Sequence, residues 1–375
     1  MPCPASCRAW PFTYCAPYGG RITAPTAKVP NAPPSWYSRL VAATRDQTPN
    51  AEANVEKRFL TIAEQVELLA ARGLRCDAQT PRILLREGYY AVVNGYKRPF
   101  LDQDATRAAK EDRYQEGTSF SDVYALFRFD RSLRALTFRH LMLVEATLRS
   151  LISYAFCERH PRPEAYLDES SYTCRRAYLR GEDAFEGDLR WMIDTLAHHA
   201  RARERDPRGD RRDVRVAHFQ DNHDTVPLWV LVDELTFGNL KYLFALLRRE
   251  EQLAICDNLA ELSSYRIEGH AVMVRPGEKR AAPSQRPLTP RRVARDLEAI
   301  VDVRNVCAHG ERLYDGRFGL EDEADFAAFV SMMSHFLEPG DLAHLQGGIE
   351  SLVTEYSQAS PVIARELERT GIAGI

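Results

Sequence analysis

The sequence contains no run of 18 apolar residues, so it predicts no helix that spans a membrane. Its first residues, MPCPASCRAWPFTYC, lack the uninterrupted apolar stretch of a secretion signal, and we expect a cytoplasmic protein with no membrane partner. An excess of positive charge is also absent, since the formal net charge is −3 and the isoelectric point is about 6.4. A nucleic acid would therefore have to bind a local basic patch.

Cysteine pairs are lacking as well. None of the eight cysteines belongs to a C-x-x-C pair, and Cys3, Cys7 and Cys15 are poorly spaced for zinc. Four histidines also come without a nearby set of fixed ligands: His198, His199, His218 and His223. We expect reduced thiols, no metal site and no cofactor.

The composition itself is that of a globular protein, with 375 residues of which 45% are hydrophobic and 27% charged. Residues 1–52 are rich in proline and show no sustained periodicity, which predicts a flexible N-terminal extension. Apolar residues then recur at helical spacing. We expect a helical domain over residues 53–320 and a C-terminal helical extension over residues 321–375.

Local signals mark where several helices begin. Thr61 followed by Glu64 is a capping box, Thr80 is expected to cap a helix with Pro81 in its first turn, and Ser119 or Ser121 caps a long apolar-striped helix. Residues 101–118 are polar and predict a loop. In the most apolar stretch, TVPLWVLVDELTFGNL, we expect Gly238 to separate two helices and four side chains to enter the core: Trp229, Val232, Leu235 and Phe237.

Residues 291–315 predict an amphipathic helix that stops at Gly310, the residue that most easily takes a left-handed conformation. One face is apolar: Val293, Leu297, Ile300, Val301 and Ala308. A second face is polar: Glu298, Asp302, Asn305 and His309. Arg304 interrupts the apolar face, and a buried arginine needs a carboxylate or a phosphate as its partner. The alternative to a functional pair is a structural Arg304 held by a core carboxylate, with His309 favoured by the helix dipole.

Arg304 and His309 belong to an R-N-x-x-x-H motif, one form of the R-x4-H pattern of HEPN ribonucleases. The stretch RNVCAHGERLYD resembles the RN-x-x-AH-x-x-RL-W-N segment of the abortive-infection Abi family (AbiD/AbiF type), from which Gly310, Tyr314 and Asp315 depart. Two further stretches resemble segments of that family, namely FDRSLR with the later Glu145 and LR at 148–149, and PLWVLVDELTFGNL.

The resemblance covers about residues 57–320 and implies an all-α fold, a HEPN-like helical bundle with additional helices. It implies an endoribonuclease toxin of anti-phage defence that cuts RNA without a metal, through attack of the RNA 2′-hydroxyl, leaving a 2′,3′-cyclic phosphate. His309 is then the acid/base, Arg304 the phosphate clamp, and Asn305 positions one of them. The family also implies a homodimer in which two motifs face one RNA phosphate.

Two other functions stay open. One is a non-catalytic RNA-binding regulator or sensor of a defence or toxin–antitoxin system, with a small non-coding RNA as a partner. The other is a helical scaffold that acts through protein contacts. Mutation of His309 distinguishes them, because loss of cleavage with RNA binding retained is expected only of the enzyme.

Five arginines are candidate RNA contacts: Arg131, Arg134, Arg286, Arg291 and Arg292. For Arg131 and Arg134 the equally weighted alternative is a buried ion-pair network between helices. The other three lie in or beside the basic, proline-broken stretch 275–292, for which an exposed insertion is the alternative. Arg134 and His140 form an R-x5-H spacing that we consider incidental, and it is the best candidate for a second, internal motif.

Overall fold

A computed structural model describes residues 58–201, 214–223, 225–263, 266–268, 271–273 and 288–375. The predicted extension 1–52 and Arg286 lie outside these ranges. Leu60–Ile375 forms one compact unit.

The described part of the chain is predominantly helical, which confirms the predicted all-α class. In chain order its α-helices are α1 (Ile62–Ala71), α2 (Thr80–Glu87), α3 (Gln103–Ala109), α4 (Phe120–Arg159), α5 (Phe185–Ala200), α6 (Val214–Asn222), α7 (Leu228–Leu231), α8 (Phe237–Leu246), α9 (Arg249–Leu262), α10 (Pro290–His309), α11 (Phe326–Met333), α12 (Pro339–Ala359) and α13 (Pro361–Arg369). Two short strands, β1 (Arg266–Glu268) and β2 (Ala271–Met273), pair antiparallel, with Ile267 opposite Val272.

Single turns connect these helices. Tyr90–Asn94 is a π-helical turn, and the 3-10 turns are Arg98–Phe100, Ala165–Leu167, Glu169–Ser171, Arg175–Ala177, Glu182–Ala184, Val232–Glu234, Leu320–Asp322 and Ile372–Gly374. None of the helices in the described ranges has the length and apolar character needed to cross a bilayer.

Helix α4 is the centre of the unit. It has 40 residues, or about 60 Å at the rise of an α-helix, and α7, α8, α9, α10 and α12 all pack against it. Its apolar positions at helical spacing are fully buried, among them Leu126, Leu133, Val144 and Leu148. The helix that carries the Arg304 motif, α10, is therefore held against the central helix of the fold.

The capping signals predict two of the helix starts correctly. The Thr61 hydroxyl accepts the Glu64 N–H at 3.3 Å and the Glu64 carboxylate accepts the Thr61 N–H at 2.8 Å. Ser119, rather than Ser121, caps α4. The expectation for Thr80 is wrong by one position, because the Asp77 carboxylate accepts the Gln79 and Thr80 N–H groups and Thr80 is thereby free to be the first helical residue.

The predicted loop 101–118 contains helix α3. Asp102 caps it by accepting the N–H groups of Asp104 and Ala105 at 3.1 and 2.9 Å, and Lys110 ends it in a left-handed conformation. Helix α3 has no buried residue, so its sequence lacks the apolar period from which a helix would be predicted.

Two expectations for the apolar stretch are also wrong. Trp229 is 56% exposed, because α7 is a single turn that turns Leu228 and Leu231 inward and Trp229 outward. Gly238 lies inside α8, and the break falls at Leu235, before the Thr236 cap. The other three residues expected in the core are buried: Val232, Leu235 and Phe237.

Candidate active site at the end of helix α10

Helix α10 begins and ends where its local sequence predicts. The Thr289 hydroxyl accepts the Arg292 N–H at 3.3 Å, and Pro290 occupies the first turn. Gly310 has φ 72° and closes the helix directly after His309. The motif residues therefore lie on the last two turns of a regular helix.

The apolar face of α10 enters the core over most of its length. Four of the five predicted residues are buried: Val293, Leu297, Ile300 and Val301. The fifth, Ala308, is exposed, as are His309 and Gly310. The expectation for Ala308 is wrong because burial of α10 decreases towards its end: Val303 is buried, Val306 and Cys307 are half-buried, and residues 308–310 are exposed.

Arg304 is half-buried and has no carboxylate partner among the described residues. Its Nη1 donates to the Asn305 side-chain oxygen at 3.3 Å, and its Nε is buried without a hydrogen-bond acceptor. A guanidinium offers five donors, so most of its capacity to bind an anion is unused within the described residues. This contradicts the alternative in which a core carboxylate holds Arg304.

Other buried and half-buried arginines behave differently. Arg134 pairs with Asp130, Arg149 with Glu145, and Arg180 with Glu298. These pairs show the usual way in which this fold compensates a desolvated guanidinium. Arg304 departs from it at the position where the motif predicts a phosphate.

His309 and Arg304 point in different directions within one chain. They are five residues apart on an unbroken helix, which separates their side chains by about 140°. His309 is exposed at the end of the helix, whereas Arg304 faces the flank of the core. A single copy of α10 thus does not by itself direct both groups at one point.

Cys307, which lies between them, is not a candidate nucleophile. Burial raises the pKa of its thiol to about 12, and the neighbouring Arg134 opposes this without compensating it. The thiol is therefore neutral near pH 7 and packs against the core.

The segment after His309 is anchored to α4 by Asp130. Asp130 is fully buried; its Oδ1 accepts the Tyr314 N–H at 2.8 Å and the Leu313 N–H at 3.1 Å. The Tyr96 hydroxyl donates to its Oδ2 at 2.6 Å, and Arg134 binds both this carboxylate and the Glu311 carbonyl, the latter at 3.0 Å. Burial raises the pKa of Asp130, and Arg134 and the other donors oppose that rise. The FDRSLR stretch thus holds the chain immediately beyond the motif.

Glu145 and Arg149, the later residues of this family-like stretch on α4, hold the connection between α7 and α8. Arg149 pairs with Glu145 and donates from Nη2 to the Leu235 carbonyl at 2.8 Å. Two residues of α4 therefore bind the other two stretches that resemble the family. Asp130 binds the segment after the Arg304 motif, and Arg149 binds the PLWVLVDELTFGNL segment.

The four candidate RNA-binding arginines among the described residues lie in different environments. Arg134 is 7% exposed and its contacts are internal, which favours the ion-pair alternative for it. Arg131 is half-exposed and pairs with Glu87 at 3.0 Å. Arg292 is exposed and donates from Nε to both oxygens of the buried Asp296, at 2.9 and 3.0 Å, while Arg291 is exposed nearby on α10.

His140, the second member of the R-x5-H spacing, is buried away from Arg134. Its Nδ1 lies 2.8 Å from the Leu136 carbonyl oxygen and its Nε2 lies 3.1 Å from Nδ1 of His344 on α12. Arg134 faces the Glu311 carbonyl instead, so the two residues do not share a site.

One cluster beside α10 is not indicated by any sequence motif. Glu298, on the polar face of the helix, pairs with Arg180 and with Lys241, the latter at 2.6 Å. Both cations lie over the ring of Tyr242, at 4.3 and 4.9 Å from its centroid, and Trp191 contacts that ring edge-on. Three separate parts of the chain supply these residues, so no local motif marks them.

A shallow cavity in the described part of the chain lies elsewhere along α10. It is lined by Arg295, Ala299, Phe318, Gly319, Leu320, Glu323, Ala324, Ala328 and Met332. It contains neither Arg304 nor His309, so the motif is not at this cavity. The described side chains include no cluster of three or more histidine, cysteine or acidic residues placed to hold a metal.

Comparison with known proteins identifies one family. The family model described as Abi-like protein matches residues 82–315, which is more than half of the chain and extends from within α2 through α10 to the Asp130-anchored segment. Searches of the curated proteins and of the solved structures find no match.

Proposed function

Because this chain belongs to the Abi-like protein family, a membership that points to abortive-infection defence, we propose that it is a HEPN-type endoribonuclease of anti-phage defence. Its substrate is RNA, its reaction needs no metal, and its site is formed by Arg304, Asn305 and His309. The observation that carries this proposal is the half-buried Arg304, whose side chain donates a hydrogen bond only to the Asn305 amide oxygen among the described residues.

An RNA phosphate supplies the anionic partner that Arg304 does not have among the described residues. Desolvating a guanidinium without an anionic partner is costly, and phosphate oxygens match its planar donors. The bond from Nη1 to Asn305 fixes the guanidinium orientation, which makes Asn305 a positioning residue. Arg304 then holds the non-bridging oxygens and stabilises the charge that develops on them.

The chemistry follows from the substrate and His309. The 2′-oxygen of RNA forms a bond to the adjacent phosphorus while the bond from phosphorus to the 5′-oxygen breaks. The products are a 2′,3′-cyclic phosphate and a 5′-hydroxyl end. A histidine serves either proton transfer, taking the proton of the 2′-hydroxyl or giving one to the leaving 5′-oxygen, since its pKa is near physiological pH.

The position of the two side chains supports a homodimer. On one helix they diverge by about 140°, so the two-fold mate is proposed to bring its His309 to the phosphate that Arg304 holds. Residues 308–310 at the end of α10 are exposed, which is compatible with such an approach. The site would then be complete only in the dimer.

The decisive experiment compares His309→Ala and Arg304→Ala with two matched controls. His218→Ala removes an exposed histidine on α6, and Arg295→Ala removes an exposed arginine of α10 itself. We expect RNA cleavage to fall at least about 100-fold in the first two variants and to stay unchanged in the controls. Wild-type cleavage should persist in EDTA and leave cyclic phosphate ends.

Different results separate the alternatives. If folded His309→Ala cleaves RNA or arrests growth as the wild type does, the enzyme proposal is wrong. If the wild type binds RNA but never cleaves it, and both variants only weaken binding, the chain is a regulatory RNA-binding protein. A small non-coding RNA would then be sought among the RNA that co-purifies.

A further inference from the structure

We propose that Trp191, on α5, is a stacking site for an unpaired base of the RNA substrate. Tyr242, Arg180 and Glu298 link it to the face of α10 that carries Asn305 and His309. The inference rests on the proposed function.

Trp191 keeps an aromatic surface available to a ligand. The side chain of Trp191 is 44% exposed, and it meets the Tyr242 ring edge-on, with ring centroids 5.0 Å apart and planes at 64°. The Tyr242 ring itself is covered by Arg180 and Lys241, so it is not free to stack. Tyr242 therefore orients the indole of Trp191, which remains the stacking partner.

The charges around the pair of Trp191 and Tyr242, which we call the platform, favour binding of a base over binding of a phosphate. Arg180 and Lys241 are both paired with Glu298, and Arg180 also lies 3.6 Å from Asp188. Two cations and two carboxylates cancel, which leaves little local attraction for a phosphate. A base presents an uncharged ring that stacks on an aromatic side chain regardless of its identity.

The platform is aligned with the proposed active site. Glu298 and Asn305 are seven residues apart, and Glu298 and His309 eleven, so each of the two site residues lies within about 20° of Glu298 around α10. Glu298 is about 16 Å from His309 along the helix axis. The exposed Arg291 lies seven residues before Glu298, on the same face. Glu298, which Arg180 connects to the Tyr242–Trp191 pair, lies between Arg291 and His309 on α10, so a strand that follows α10 between those two residues would pass this pair.

Stacking on Trp191 requires an unstacked base, which double-stranded RNA does not offer. The test uses His309→Ala as the background, so that RNA is bound and not cut. Single-stranded oligoribonucleotides that carry 2-aminopurine are compared with the corresponding duplex. Trp191→Ala is compared with Trp191→Phe and with Trp229→Ala, which removes a second exposed tryptophan that has no aromatic or cation contact within the described residues.

We expect Trp191→Ala to weaken binding of single-stranded RNA at least about five-fold, while Trp191→Phe recovers most of it and Trp229→Ala has no effect. Quenching of 2-aminopurine on binding should disappear in Trp191→Ala. Equal RNA binding and equal quenching in Trp191→Ala and Trp229→Ala would overturn the inference but would not contradict the proposed nuclease function. The exposed Trp191 would then be tested as a contact for another protein. If the parent binds no RNA, the proposed function and this inference both fail.

Discussion

Asp130 and Tyr314 are 184 residues apart in sequence, yet Oδ1 of Asp130 accepts the Tyr314 N–H at 2.8 Å. This bond, with the neighbouring one from Leu313, ties the chain just beyond His309 to the central helix α4. The position of the proposed site therefore depends on a buried carboxylate far from it in sequence.

Replacing that carboxylate is predicted to destabilise the fold. In Asp130→Asn the buried Arg134 loses its counter-charge, which costs about 3–5 kcal/mol of unfolding free energy. Asp104→Asn is the control, because Asp104 is exposed and its loss should change stability by less than about 0.5 kcal/mol. Denaturant unfolding measures the stability of both variants. If Asp130→Asn lowers the unfolding free energy as little as Asp104→Asn does, Asp130 is not a structural anchor.

The end of α10 provides a second prediction. Gly310 has φ 72°, so Gly310→Ala should lose about 1 kcal/mol of unfolding free energy and cleavage activity with it, although a methyl group there meets no atom within 4 Å. Gly310→Asn should lose less, since asparagine tolerates this conformation. Gly187→Ala, inside α5 with open space around it, should stabilise the protein instead. Equal effects of Gly310→Ala and Gly187→Ala would contradict the role of the left-handed cap.

Mixing inactive subunits tests where the two catalytic groups come from. In a dimer of one Arg304→Ala and one His309→Ala subunit, a site shared between subunits has one copy with both wild-type residues. We expect randomly paired dimers to recover about a quarter of the wild-type cleavage rate. No recovery in a mixture shown to exchange subunits would mean that each site draws both residues from one chain or needs two intact pairs.

A buried carboxyl outside the site predicts a dependence of stability on pH. Burial raises the pKa of Glu251 to about 7, and its Oε1 lies 2.8 Å from Nε2 of His160, whose own pKa burial lowers. The Glu251 carboxyl therefore contributes most to stability below about pH 4.5, where it is protonated in both states, and this contribution is lost as pH rises to about 7.

Glu251→Gln isolates this effect, because His160 is present in both proteins and glutamine keeps an acceptor for the Arg248 N–H, which Glu251 binds at 2.7 Å. The unfolding free energy of the variant relative to the wild type should rise between about pH 4.5 and 7 and be constant above it. Unfolding at a series of pH values measures the difference. A difference that does not vary with pH would show that the carboxyl is ionised in the fold.

Much of the helical framework was predictable. Capping boxes at Thr61 and Ser119 and the glycine at 310 act on backbone groups within four positions, so the sequence near each one is sufficient. Helix α3 was missed because it buries nothing, and Trp229 was misplaced because apolar character alone does not say which side of a single turn faces the core.

The sequence by itself determined that α10 ends at His309 and that Arg304 interrupts its apolar face, because both follow from helical periodicity and the conformational freedom of glycine. Only the tertiary structure decided which charges are compensated. Asp130 holds Arg134 and the Tyr314 N–H, Glu298 holds Arg180 from 118 residues away, and Arg304 has no carboxylate within the described residues. The period of a helix shows that a side chain points inward, but the group it meets is set by the packing of another helix.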